Sequence, residues 1–180
     1  SGGGYATLGA YLKTRHRVRL WQAWAPISDL EAWYQETTSR GLESLSRSIL
    51  GCTGSGASLD VAEARRRSPL YWPVDGGERG RLEIYAGIKD GYSGTVPISH
   101  SIRFYNKLTS DLGSSAARVP EAMMAALLTR AQPPGGQVLG GRAVHFHVDA
   151  GSVGLTIFDG GHEILADQAF ERLLGVWKPL

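Results

Sequence analysis

Two short, densely apolar segments constrain this chain more than anything else in it. VRLWQAWAPIS, Val18 to Ser28, is dominated by apolar residues up to Pro26, and RLEIYAGIK, Arg81 to Lys89, repeats the character. Both read as strands, and the first as a strand buried on both faces, because a strand with one wet face alternates apolar and polar residues. Helical patterns fill the space around them. Tyr5 to Lys13 places Leu8 and Leu12 one turn apart, after the Gly-rich start SGGG. Ser28 or Asp29 can cap a helix running through Tyr34, and Gly41 to Leu50 and Leu59 to Arg66 read as two short helices around the Gly/Ser stretch GCTGSGAS. Ile98 to Leu108 and Pro120 to Arg130 are helical again, the second with proline at a tolerated first-turn position. After PPGG come two β segments, Ala143 to Val148 and Val153 to Phe158, joined by an Asp-Ala-Gly-Ser turn, and a last helix from about Asp167 to Leu174. Strands alternating with helices predict an α/β fold, a sheet of mostly parallel strands flanked by helices.

A chain of 180 residues, 42% hydrophobic and 20% charged, can bury one core. Nineteen Lys and Arg against seventeen Asp and Glu leave a net charge of +2. Apart from Arg65 to Arg67 the basic residues are scattered, so no nucleic-acid partner is expected. No run is long and apolar enough for a membrane span, and no membrane partner is expected. Cys52 is the sole cysteine, which leaves no intrachain disulfide.

In an open α/β sheet, reactive groups gather in the loops beyond the carboxyl ends of the strands. Three residues fall at such loops: Ser1 before the first helix, Asp90 after the second strand, and His162 after VGLTIFDGG. Their chain order, Ser, Asp, His, is that of an α/β-hydrolase triad. A serine at a sharp turn attacks an acyl carbon, histidine takes its proton, and an acid orients the imidazole. In this reading the glycines after Ser1 make room for close neighbouring chains, and Gly2 supplies a backbone amide to the oxyanion hole. Gly160 and Gly161 let the histidine loop fold over the serine, and Gly91 and Gly94 shape the Asp90 turn. A Gly/Ser start is also what a linker remnant looks like, so Ser1 alone carries little.

The segments SGGGY, AWAPISDLEAWY, RRRSPL, YAGIKDGYSGTVPISHSIRFYNKL and FDGGHEIL resemble the catalytic domain of the prolyl oligopeptidase-like α/β-hydrolases. The family includes dipeptidyl and acylaminoacyl peptidases and related esterases. The resemblance covers most of the chain and is most specific around Asp90. It implies a serine hydrolase acting on a small peptide or ester through Ser1, Asp90 and His162, with no cofactor. It further implies that the first strands and the second oxyanion donor lie upstream, so that this piece is the C-terminal half of a catalytic domain. The β pair bearing His145 and His147 is not expected of the family core.

Other residues invite competing readings. His145 and His147 share a strand face by period-two spacing and could hold a metal with His162 or Asp149, which would make the protein a metal-dependent hydrolase. A third possibility is an inactive, truncated piece with an open sheet edge. Asp159, two residues from Gly161, is a turn residue and the rival acid. Glu163 reads as helix-start charge and His100 as a structural hydrogen bonder. Trp21, Trp24, Trp33 and Tyr34 read as core packing, with Trp33 or Tyr34 as candidates for lining an acyl pocket. Arg65 to Arg67 read as a solvated helix end.

Overall fold

The computed structural model describes residues 1–54, 57–74, 77 and 79–176. The Gly/Ser stretch read from the sequence therefore lies partly outside the described residues. Strands β1 (Leu20–Trp24), β2 (Arg81–Gly87), β3 (Val138–Leu139), β4 (Arg142–Asp149) and β5 (Val153–Phe158) form one sheet in the order β1-β2-β5-β4-β3. The helices are α1 (Gly2–Lys13), α2 (Leu30–Ser39), α3 (Glu43–Thr53), α4 (Val61–Arg67), α5 (Ser99–Asp111), α6 (Glu121–Leu128) and α7 (Ala166–Val176).

The sheet is mixed, which corrects the expectation of mostly parallel strands. β1 pairs β2, and β2 pairs β5, in parallel. The β4–β5 and β3–β4 pairs are antiparallel. The reason is local: only the few residues of the Asp-Ala-Gly-Ser turn join β4 to β5, and a parallel return needs a crossover of a dozen or more. β1 differs from expectation too. It is an edge strand, and Trp21 and Gln22 are only half-buried.

Alternation along β2 divides the core. Leu82, Ile84 and Ala86 face a cluster built with Leu8, Tyr11 and Leu12 of α1 and Ile102, Tyr105 and Leu108 of α5. These helix residues recur at three- and four-residue spacing, which gives each helix one apolar stripe. On the opposite face Tyr85 stacks on Trp24 at 4.2 Å, with Phe158 edge-on to Trp24 and Leu165 and Ala169 over them. Glu83 is buried on this same face. Arg172 of α7 reaches it at 2.6 Å, Arg81 at 2.8 Å, and the Tyr85 hydroxyl donates to it at 2.8 Å, which ties α7 to the sheet.

α2 begins where a short acceptor side chain meets the free amides of a first turn. Asp29 Oδ1 accepts from the N–H groups of Glu31 and Ala32, as expected of the capping residue. Ile27, Leu30, Ile49, Ala64 and Val96 form a second cluster among α2, α3 and α4, with Trp33 and Tyr34 packed against it. Arg65 pairs with Glu31, and Arg66 and Arg67 both pair with Glu63 on the exposed side of α4. No helix among the described residues is long and apolar enough to cross a membrane.

Candidate functional site

Ser1, Asp90 and His162 come together at one end of the parallel strands. Asp90 follows β2, and His162 follows β5 four residues beyond Phe158. Ser1 is the N-cap of α1 and accepts at its carbonyl from Tyr5 N–H at 2.8 Å. The parallel β2–β5 pairing puts both loops at the same rim. Gly87 lets them touch: a side chain there would lie 2.3 Å from the Gly161 carbonyl oxygen and 2.4 Å from the Gly160 carbonyl carbon. Only a residue without Cβ permits so close an approach of backbone to backbone.

His162 Nδ1 lies 2.7 Å from Asp90 Oδ2. The Asp90 side chain is fully buried, and its other oxygen accepts from the N–H groups of Gly91 and Val96, each at 3.0 Å. Two backbone N–H groups already donate to Oδ1; with Asp90 as a carboxylate, Oδ2 accepts from Nδ1–H, and in the neutral imidazole Nε2 then presents its lone pair. That lone pair faces Ser1, whose terminal ammonium group, not its hydroxyl, lies 3.3 Å away. The His162 side chain remains 26% exposed. Gly94 lies beneath the pair; a Cβ on it would be 2.2 Å from Asp90 Oδ1 and 2.7 Å from His162 Cβ.

Several secondary expectations change. Gly2 and Gly3 have open space where a side chain would stand, so the crowding expected after Ser1 is found only at Gly4. A Cβ on Gly4 would come within 2.6 Å of the Trp24 carbonyl oxygen. Gly2 opens α1, and its N–H is one of the four at a helix start that have no partner inside the helix. Glu163 does not sit at a helix start. It lies three residues before α7, accepts from Gly161 N–H at 3.1 Å and pairs with Arg142, so it braces the histidine loop. Asp159 is engaged by Lys89 at 2.6 Å, and its carboxyl is held below the usual value chiefly by that hydrogen bond.

His100 is buried in α5 and hydrogen-bonded, as expected. Its Nδ1 accepts from Ser28 N–H at 3.2 Å, which leaves the proton on Nε2 for Glu36 at 2.9 Å. His145 and His147 do not act as a pair. A register shift between Val144 and Phe146 leaves His145 out of the ladder, so the two-residue spacing no longer fixes a shared face. His145 Nδ1 donates to the Gln132 carbonyl at 2.8 Å, while His147 Nδ1 lies 3.0 Å from Thr156 Oγ1. Among the described residues no group of three or more His, Cys, Asp or Glu is arranged to hold a metal ion.

Sequence reasoning missed the outer supports. The Trp33 indole donates to the Thr95 carbonyl, and Arg40 Nη2 donates to the carbonyls of Tyr92 and Gly94. These are contacts between α2 and the Asp90 loop, more than fifty residues apart in sequence, and no local pattern announces them. No family model, curated protein or solved structure matches this chain.

Proposed function

We propose that the chain belongs to a serine hydrolase of α/β-hydrolase architecture, prolyl oligopeptidase-like, which cleaves a peptide or carboxylic ester bond through an acyl-enzyme. One observation carries the reading: an imidazole whose Nδ1 is held by a buried carboxylate at 2.7 Å turns Nε2 toward the N-cap residue of a helix, a serine, whose terminal amine lies 3.3 Å away. His162 takes the hydroxyl proton of Ser1 as its oxygen attacks the carbonyl carbon, and the carbonyl oxygen becomes an oxyanion. Collapse breaks the bond to the leaving amine or alcohol, which receives that proton from His162. Water then repeats the sequence, giving its proton to His162, releasing the acid and restoring Ser1.

Asp90 keeps the imidazole in the required tautomer throughout. The Gly2 amide and the positive end of α1 stabilise the oxyanion, and loss of one such donor costs about a hundredfold or more in rate. The test uses the full-length protein. Ser1→Ala and His162→Ala are each expected to abolish covalent labelling by a fluorophosphonate; undiminished labelling in either variant overturns the assignment.

A further inference from the structure

We infer that Arg40 is a positioning residue for the Asp90–His162 pair, an inference that rests on the reading of that pair as part of a hydrolytic site. Arg40 ends α2 as its C-cap residue, and its Nη2 donates to two carbonyls of one turn, Tyr92 at 3.2 Å and Gly94 at 2.8 Å. That turn is the one that wraps the acid. Asp90 Oδ1 accepts from Gly91 N–H at its start and Val96 N–H at its end, and Gly94 between them lies against both Asp90 and His162. A shift of the Gly94 carbonyl therefore moves the surface on which the carboxylate and imidazole rest.

Arg40 does not act alone. Trp33, Glu36 and Arg40 recur at helical spacing and fall on one side of α2. Trp33 holds the Thr95 carbonyl at 3.0 Å, and Glu36 holds His100 at 2.9 Å. One helix side thus grips the segment after Asp90 at three successive levels, with Arg40 at the level nearest the acid and the imidazole. The guanidinium is also held at a cost. Among the described residues its Nη1 is buried without a hydrogen-bond partner, and leaving a charged donor unpaired is expensive. A side chain free to turn into water would shed that cost; the two carbonyl contacts and the packing around α2 keep it in place.

The experiment compares wild type, Arg40→Ala and Arg40→Lys in the full-length protein. Steady-state hydrolysis of a p-nitrophenyl ester is measured together with the far-downfield proton resonance of the imidazole Nδ1–H, assigned by its loss in His162→Gln. Arg40→Ala is expected to keep KM and lose about ten- to a hundredfold in kcat, the scale of a misplacement near an ångström. Its Nδ1–H resonance should broaden or shift, and methylguanidinium should restore part of both signals. Arg40→Lys, able to reach one carbonyl but not to present a fork, should fall between, and it carries the comparison if the alanine variant does not fold. An unchanged resonance and unchanged kcat in a folded variant overturn the inference, as does a kcat loss that follows only the unfolded fraction and that methylguanidinium does not restore. A wild type that neither labels nor turns over, yet whose resonance still moves in the Arg40 variants, retains the positioning role and removes the hydrolase reading instead.

Discussion

Substituting Gly94 by alanine adds one methyl group at the point where Asp90 and His162 meet. The glycine's φ lies outside the left-handed region, so an alanine strains no backbone there and its whole effect comes from contacts. The new carbon would stand 2.2 Å from Asp90 Oδ1 and 2.7 Å from His162 Cβ. Ordinary contact begins near 3.5 Å, so each neighbour must retreat by about an ångström. Asp90 Oδ1 cannot do so without lengthening its bonds to Gly91 and Val96, and the turn cannot lift without loosening the Arg40 contact at the Gly94 carbonyl. Overpacking of this size costs about 1–3 kcal/mol in stability. Displacement of a catalytic pair by about an ångström costs roughly a hundredfold in rate. The two effects separate cleanly. Even a domain stable by only about 5 kcal/mol keeps about 2 kcal/mol after the larger loss, and more than roughly nine-tenths of it stays folded. Urea unfolding followed by circular dichroism gives the first quantity, and the initial rate of fluorophosphonate labelling gives the second. A folded Gly94→Ala protein that labels at the wild-type rate would refute the claim that the geometry of this pair governs the chemistry.

Two further outcomes test the structural reasoning away from the site. Gly51, inside α3 with open space at its Cβ position, should tolerate alanine with a gain of about 0.5–1 kcal/mol, measured by the same urea titration; a loss would mean that α3 is not helical there. Glu83 should make stability depend on acid. Burial pushes its carboxyl up, but hydrogen bonds from Arg172, Arg81 and Tyr85 outweigh this and leave the folded value below the ordinary 4.5. Its contribution is therefore fully present above 4.5 and lost as pH falls through the lower folded value. Glu83→Gln should be less stable than wild type near neutrality, with the gap closing in acid unfolding below pH 4.5; a gap independent of pH would contradict the depressed carboxyl.

How much of this could be read in advance depended on the range of the interaction responsible. β1, β2 and β5 were legible because each is a compact apolar run with its own turn signals, and Asp29 because a cap acts on residues two and three positions away. Asp90 and His162 stood out by chain order and by the glycines around them, and they lie within hydrogen-bonding distance of each other. The sheet is less parallel than the alternation of strands and helices suggested, because the short turn joining β4 to β5 returns the chain antiparallel. The bulge at His145 was invisible because nothing in Val-His-Phe marks a register shift, and it undid the face shared with His147. β3 has only two residues and offers no periodicity. Gly4, Gly87, Arg40 and Glu163 matter through chain segments brought close only by the finished fold, so their roles had no local signal.

Mass-spectrometric localisation of the fluorophosphonate adduct tests the central claim most directly. The phosphonyl group is expected on the peptide that contains Ser1, and its formation should depend on Asp90 and His162. An adduct confined to another hydroxyl, such as Ser93 beside the histidine loop, or no adduct on Ser1 in folded, full-length protein, would contradict it.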